Sequence, residues 1–381
     1  MQDRRPALGV GLVGYAFMGR VHSQAWRSVG AFYDLPVRPA LAALAGRSRD
    51  HAVAAARRFG WAAVESDWKD LIDRDDVAIV DVCTPGDSHA EIAIAALTAG
   101  KHVLCEKPLA NTVAEAEAMA AAARSAAARG VRSMVAFNYR RVPAVALARR
   151  LVADGRLGEI RHVRAIYLQD WLVDPEHPLV WRLRRDKAGS GALGDIGAHV
   201  VDTVAFVTGQ QVTGVSALTE TFVNERPLPD APGTGAVTVD DAALFIGRLT
   251  GGALASFEAT RYATGRKNSL RLEINGSLGS LSFDFEAMNE LWFHDATLPG
   301  AEGGFRKIIV TDPGHPYLDA WWPPGHGLGY EHTFTHEVRD FLAAIAAEED
   351  PTPSFEDGLR VQQVLAAVER SAAEESRWTA V

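Results

Sequence analysis

The chain has 381 residues, 48% hydrophobic and 23% charged, an ordinary globular profile that exceeds one typical domain and predicts two, each with its own core. Its 39 basic and 48 acidic residues give a formal net charge of −9 with no dense lysine/arginine block, which argues against nucleic acid or anionic membrane as partner and favours small-molecule chemistry. No apolar run approaches the roughly 18–20 residues of a membrane-spanning helix, and Met1-Gln2-Asp3-Arg4-Arg5-Pro6 leads straight into an apolar run without room for a secretion signal, so a cytoplasmic protein is expected.

Leu8-Gly9-Val10-Gly11-Leu12-Val13 reads as a buried parallel strand, and Gly14-Tyr15-Ala16-Phe17-Met18-Gly19 turns from it into a helix carrying Val21, Ala25 and Trp26. In that context the glycines form a dinucleotide-binding fingerprint. Gly14 takes the tight turn, amides at the helix start around Ala16, Phe17 and Met18 can hold a pyrophosphate, and Gly19 lets helix and strand approach. Ala16 stands where a second glycine is usual and crowds the pyrophosphate by one methyl; taken alone, the motif also fits an ordinary strand-to-helix turn. A strand over residues 37–45 then ends at Gly46-Arg47-Ser48, beside the expected adenosine ribose. The acidic residue usual at NAD-preferring sites is absent. Gly46 leaves space, Arg47 can pair with a 2′-phosphate or stack on adenine, and Ser48 can donate a hydrogen bond, a set that favours NADP or dual use unless Arg47 is simply solvated.

A helix over 50–59, a strand over 77–83, a helix over 88–99 and a strand over 101–105 continue an alternation that predicts a parallel sheet with helices on both faces. Thr84 and Pro85 lie at its carboxyl edge, where open α/β sheets bind ligands, and would flank the nicotinamide ribose. His89 fits a capping or packing role better than a catalytic one. The 101–105 strand closes on Cys105-Glu106-Lys107-Pro108, which with the upstream glycine turn implies redox chemistry on a nicotinamide cofactor. Cys83 and Cys105 both end apolar runs, as small hydrophobes do, and two cysteines build neither a disulfide framework nor an evident metal site. A helix over 112–128 and a strand over 132–137 complete a dinucleotide-binding domain of residues 1–137.

Residues 138–381 read as a substrate-binding and oligomerisation domain, opening with a crossover helix over 143–152. Alternating runs at 160–168, 212–223, 242–249, 253–259, 269–274 and 278–285 predict one large sheet. Pro/Gly-rich segments 227–235 and 313–329 read as long loops, and the latter, with Trp321-Trp322-Pro323-Pro324-Gly325-His326, could cover a site in its own subunit or a neighbour's. Helices over 330–347 and 355–373 close the chain, the last able to pack back on the first domain. The expected fold class is α/β: an N-terminal Rossmann doubly wound parallel sheet plus a C-terminal α+β domain with a large, mainly antiparallel open sheet.

The second domain holds Gly189-Ser190-Gly191-Ala192-Leu193-Gly194-Asp195-Ile196-Gly197-Ala198-His199, running on into an apolar helix. Asp195 and His199, four apart, share a helix face. Hydride leaves a carbinol carbon only as a base takes the hydroxyl proton, which suits His199; Asp195 would bind a substrate hydroxyl, and Lys107 would stabilise the developing alkoxide. A surface pair or half of a metal site are the competing readings, but hydride transfer needs no metal and no third ligand is evident. Tyr139, Arg140, Tyr167, Gln169, Asp170, Trp171 and Trp181 offer hydroxyl-matching groups and flat apolar faces suited to a polyol, although Trp171 and Trp181 also fit core or interface packing.

The turn at Gly14, Thr84-Pro85 with His89, Glu106-Lys107-Pro108, Asn138-Tyr139-Arg140 and Gly194-Asp195-Ile196-Gly197-Ala198-His199, in this order across nearly the whole chain, resemble the glucose-fructose oxidoreductase/inositol dehydrogenase/MocA (Gfo/Idh/MocA) family. The resemblance implies that Lys107, Asp195 and His199 take the family's catalytic positions, that the Lys-Pro bond helps aim the lysine at the nicotinamide, and that the open sheet mediates a homodimer or homotetramer. Four further runs, Met134 to Arg141, Tyr167 to Trp171, Trp181-Arg182 and Gly189 to Asp195, are similar to those of members that oxidise an anhydrosugar hydroxyl with NAD. The function expected is hydride transfer between a ring hydroxyl of a sugar, anhydrosugar or cyclitol and NAD or NADP, giving a keto-sugar. A hydrolase that retains NAD and uses transient oxidation, or a non-catalytic dinucleotide-binding sensor, are the alternatives; Lys107, Asp195 and His199 argue against the sensor.

Overall fold

The computed structural model describes residues 5–381; Met1 to Arg4, on which the expected absence of a leader partly rests, lie outside them. The chain divides into two units, Met1–Asn138 with Gly329–Leu359 and Tyr139–Leu328 with Arg360–Val381.

In the first unit β1 (Ala7–Val13), α1 (Phe17–Phe32), β2 (Arg38–Ala45), α2 (Arg49–Phe59), β3 (Ala63–Glu65), α3 (Trp68–Ile72), β4 (Ile79–Val82), α4 (His89–Thr98), β5 (His102–Cys105), α5 (Val113–Ala127) and β6 (Ser133–Val135) alternate. The strands form a parallel sheet in the order β3-β2-β1-β4-β5-β6. Such strands are covered on both faces and therefore read as unbroken apolar runs; Val10, Leu12, Leu44, Ile79, Val80 and Leu104 are fully buried. Helix boundaries follow local chemistry. Thr112 and Glu115 cap α5 reciprocally, and Gly60 ends α2 in the left-handed region.

The second unit begins with α6 (Pro143–Ala153), whose proline sits in the first turn, where its missing N–H costs nothing. It continues through β7 (Ile160–Leu168), α7 (Arg185–Ala188), α8 (Ala198–Thr208), β8 (Val212–Glu220), β9 (Glu225–Pro227), β10 (Thr234–Ala236), β11 (Ala242–Leu249), β12 (Leu254–Thr260), β13 (Ser269–Gly276), β14 (Gly279–Asp284), β15 (Glu290–Asp295) and β16 (Arg306–Ile309). In the remainder of the chain, α9 (Tyr330–Ala347) belongs to the first unit, α10 (Phe355–Ala373) contains the boundary between units, and β17 (Thr379–Ala380) belongs to the second. One open sheet has the order β16-β15-β14-β13-β7-β12-β11-β8-β17; β7 and β12 run parallel and the other pairs antiparallel.

Three expectations are revised. The strand expected over 212–223 stops at Glu220, because the carboxylate of buried Asp241 accepts from the amides of Phe222 and Val223 and draws the chain away from the ladder. The loop expected over 227–235 is mostly the turn of the β9–β10 hairpin. The run through Asp195 is not continuous α-helix: Leu193–Gly197 is a π turn feeding α8. Among the described residues no helix is long and apolar enough to cross a membrane.

Candidate active site

The glycine turn is forced by sterics. Gly14 has φ +99°, and a Cβ there would lie 2.7 Å from the carbonyl oxygen of Cys83; a Cβ on Gly19 would lie 2.1 Å from the carbonyl oxygen of Gly14. The two glycines thus let α1 start hard against the sheet. Ala16 precedes the first helical residue, no side chain caps this end, and no acidic residue sits in its first turn, so the helix dipole and first-turn amides suit a pyrophosphate. Phe17 is 51% exposed and stacks on Tyr330, and Met18 follows in the same turn. This cradle fits a dinucleotide. At the end of β2, Arg47 is exposed and Ser48 precedes α2 without capping it by side chain. The space that glycine leaves at position 46 is filled by the ring of Tyr15, which a Cβ would meet at 2.1 Å.

Thr84 and Pro85 follow β4, and His89 ties this edge together. Its Nε2 lies 2.9 Å from the Thr84 carbonyl oxygen and its Nδ1 lies 3.0 Å from that of Pro108. His89 therefore braces the segments bearing Thr84 and Lys107. Lys107 precedes a cis bond to Pro108, and its main-chain N–H donates to the Glu106 carboxylate at 3.0 Å. The other Glu106 oxygen receives Nε2 of buried His22 at 3.0 Å, while Nδ1 of His22 faces the buried Asp81 carboxylate at 2.9 and 3.0 Å. Neither His22 nor Asp81 is marked by the sequence. The first stands between Val21 and Ser23 on α1, and the second lies inside the apolar run of β4.

In the second unit, His199 is buried in the first turn of α8, its ring 4.6 Å from that of Tyr139 and 5.9 Å from that of Tyr167. A hydrogen-bonded chain runs on from these two tyrosines. Tyr167 donates to Oδ1 of Asn268 at 2.5 Å, so the 2.6 Å contact between the Tyr139 and Tyr167 hydroxyls has Tyr139 as donor. Gln169 Nε2 donates to the same Asn268 oxygen at 2.9 Å, and Trp171 Nε1 donates to Gln169 Oε1 at 3.1 Å. Asn268, which no sequence motif singles out, is the hub. Asp195 stands on the π turn with Arg261 Nη1 at 3.7 Å from its carboxylate. Arg261 is fully buried, its guanidinium 5.5 Å from the Trp171 ring centre. The Asp240 carboxylate accepts from the amides of Gly191 and Leu193 at 2.7 and 2.8 Å and fixes where the π turn begins.

Three residues proposed for substrate lie in other settings. Arg140 pairs with Asp202 at 2.5 to 3.1 Å, a buried contact that anchors α8. Asp170 pairs with Lys267 at 2.7 Å and accepts from the Gly265 amide at 2.9 Å, closing a surface loop; the Lys267 hydrogen bond foremost, then the amide, hold its carboxyl below the usual range. Trp181 stacks with the Arg182 guanidinium, 4.3 Å from its ring centre. The structure thus sets the rings of Tyr139 and Tyr167 beside His199, ties Gln169 and Trp171 to Tyr167 through Asn268, and leaves Arg140, Asp170 and Trp181 with local structural partners.

Residues 8–137 match an oxidoreductase family with an NAD-binding Rossmann fold, and residues 145–282 match the Gfo/Idh/MocA C-terminal domain. Levoglucosan dehydrogenase of Pseudarthrobacter phenanthrenivorans is 44% identical over 97% of this chain and 97% of its own. An oxidoreductase domain protein from Kribbella flavida superposes with a TM-score of 0.97 at 65% identity, covering 99% of each chain. A levoglucosan dehydrogenase in complex with NADH and levoglucosan superposes with a TM-score of 0.94 at 44% identity, covering 98% of this chain and 99% of that one. With both of its halves matched and the glycine cradle intact, the chain belongs to the Gfo/Idh/MocA family of NAD-binding oxidoreductases.

Proposed function

We propose that this oxidoreductase is a sugar dehydrogenase, oxidising a ring carbinol of an anhydrosugar such as levoglucosan, or of a related sugar or cyclitol, to the ketone. The observation that carries the reading is the chain Tyr139–Tyr167–Asn268–Gln169–Trp171 beside His199. Fixed hydroxyls and amides flanked by aromatic faces match a sugar ring, whose rim is polar and whose C–H face is not. The relatives named as levoglucosan dehydrogenases support the same substrate class.

Bound NAD supplies the hydride acceptor. Gly14, Ala16, Phe17, Met18 and Gly19 would hold its pyrophosphate, Thr84, Pro85, His89 and Glu106 would frame the nicotinamide end, and Arg47 and Ser48 would meet the adenosine ribose. His199 would take the hydroxyl proton at a ring nitrogen as hydride leaves the carbon. Lys107 would stabilise the alkoxide charge through its ammonium, and Asp195, with Arg261 close by, would orient a neighbouring hydroxyl. The reading requires both residue sets to act on one substrate. No acidic residue stands in the Gly46-Arg47-Ser48 segment, and the exposed Arg47 would also accept a 2′-phosphate, so turnover with NADP beside NAD forms part of the proposal.

The test is the absorbance of reduced nicotinamide with NAD and NADP in parallel over levoglucosan, glucose, glucosides, inositols and xylose. The reading expects reduction with one group of these sugars and at least about a thousandfold loss in Lys107→Ala and His199→Ala. Turnover in His199→Ala within threefold of the unmodified enzyme would sink the assignment of the base. Leu218, Leu244, Ile246 and Leu254 stand 49–65% exposed on the open sheet, an apolar face that supports self-association of this chain through that sheet. Light scattering should report a dimer or tetramer that Ile246→Glu dissociates; an unchanged mass would exclude this face.

A further inference from the structure

We infer that His22 is a positioning residue for Lys107, acting through Glu106 as the bridge between the two buried carboxylates beneath the Lys107 main chain. The inference rests on the proposed role of Lys107 and adds a residue that no motif marks. The geometry runs in one line: Asp81 Oδ to His22 Nδ1 at 2.9 and 3.0 Å, His22 Nε2 to Glu106 Oε1 at 3.0 Å, and Lys107 N–H to Glu106 Oε2 at 3.0 Å. Each end is fixed in turn. Trp26 Nε1 donates to Asp81 at 2.6 Å from within α1, and the amide of Glu106 donates to the Val82 carbonyl oxygen at 2.9 Å. His22, Asp81 and Glu106 are all buried.

Both ring nitrogens of His22 face carboxylate oxygens, and a neutral imidazole has one N–H to give. The geometry therefore calls for the doubly protonated ring. Burial, the largest single influence, works against that charge, but the opposing influences together, the Asp81 carboxylate foremost among them, outweigh it and hold the pKa well above the usual histidine value. The groups facing the ring are Asp81 and Cys83 from the end of β4, Glu106 from the end of β5 and the uncharged ring of Phe334 from α9.

His22, Asp81 and Cys83 also present ligand atoms within 4.8 Å of one another, but a metal centre does not fit them. The Nδ1–Oδ separations are direct hydrogen bonds, closer than two ligands each about 2.0–2.2 Å from a tetrahedral zinc ion would stand. Burial, then the Asp81 charge, pushes the Cys83 thiol up and away from the thiolate a metal would need. The cluster is an ionic strut. Glu106, tied on one side to His22, holds the Lys107 amide on the other and so sets the direction in which the Lys107 side chain leaves the sheet edge.

The experiment measures kcat and KM from about pH 6 to pH 10 for the unmodified enzyme, His22→Gln, Glu106→Gln, the double variant and Lys107→Ala, with dinucleotide binding followed separately by tryptophan fluorescence. The inference predicts that each single variant at the strut lowers kcat about tenfold or more, and that in His22→Gln the KM for dinucleotide and sugar stays within about threefold. The double variant should be no worse than the poorer single one, because both break the same strut. A kcat in His22→Gln within about twofold of the unmodified enzyme, beside an inactive Lys107→Ala, would overturn the role of His22 alone. Full activity in Lys107→Ala would overturn the lysine assignment and this inference with it. Should His22→Gln fail to fold, ring-nitrogen NMR of the unmodified protein near pH 8 decides: two protonated nitrogens support the strut, and one bare nitrogen refutes it.

Discussion

A histidine placed between two carboxylates makes the stability of the fold depend on pH in a definite direction. The folded-state pKa of His22 lies above the unfolded value of about 6.5, so its contribution is complete below about pH 6.5 and is lost as pH rises through the folded pKa. Denaturant unfolding between about pH 6 and 10 should therefore show the unmodified protein losing stability on the alkaline side. His22→Gln should lack one proton's share of that slope, about 1.4 kcal/mol per pH unit at its steepest. Parallel curves for the two proteins would mean that the ring is neutral in the fold. The same residue shows why part of the site is hidden from a sequence reading. Gly14 and Gly19 announce themselves because one chain geometry admits only glycine, and Glu106-Lys107-Pro108 stands out as polar residues closing an apolar strand. His22 and Asp81 are 59 residues apart, the one between Val21 and Ser23 on α1 and the other inside the apolar run of β4, so only the fold reveals the pair.

At the level of elements, the long strands and helices were legible where periodicity is sustained: residues 160–168 and 242–249 form strands over those bounds, and 330–347 and 355–373 form helices over theirs. Short pieces were not. The strands β3, β15 and β16 have three, six and four residues, too few for alternation to separate from chance. The π turn at Leu193–Gly197 was equally invisible, because its cause is the Asp240 carboxylate, reached only through the fold, seizing the amides of Gly191 and Leu193. The π turn carries Asp195 and leads directly into His199, and such turns recur at functional sites for the way they redirect side chains. Asp240→Ala removes two charge-assisted hydrogen bonds and should cost about 2–4 kcal/mol, with faster hydrogen exchange concentrated in residues 189–199 and lowered turnover. Unchanged exchange there would show that Asp240 does not hold the turn.

Over the whole molecule, each unit carries a residue set braced by its own buried ion pairs. His22 with Asp81 and Glu106 lies behind Lys107 in one, and Arg140 with Asp202 and Arg261 near Asp195 lie around His199 in the other. Buried pairs of this kind add little net stability but penalise any arrangement that separates them, which suits groups that must be held in one geometry. The measurement that bears most directly on the account uses levoglucosan carrying deuterium on the ring carbon to be oxidised, with product nicotinamide followed by NMR. The account predicts that the label passes to C4 of the reduced nicotinamide, with a slowed rate and a keto-sugar in equal amount. Oxidised sugar with protium at C4, or a labelled sugar returned unoxidised while NAD is bound, would contradict direct hydride transfer and the dehydrogenase assignment with it.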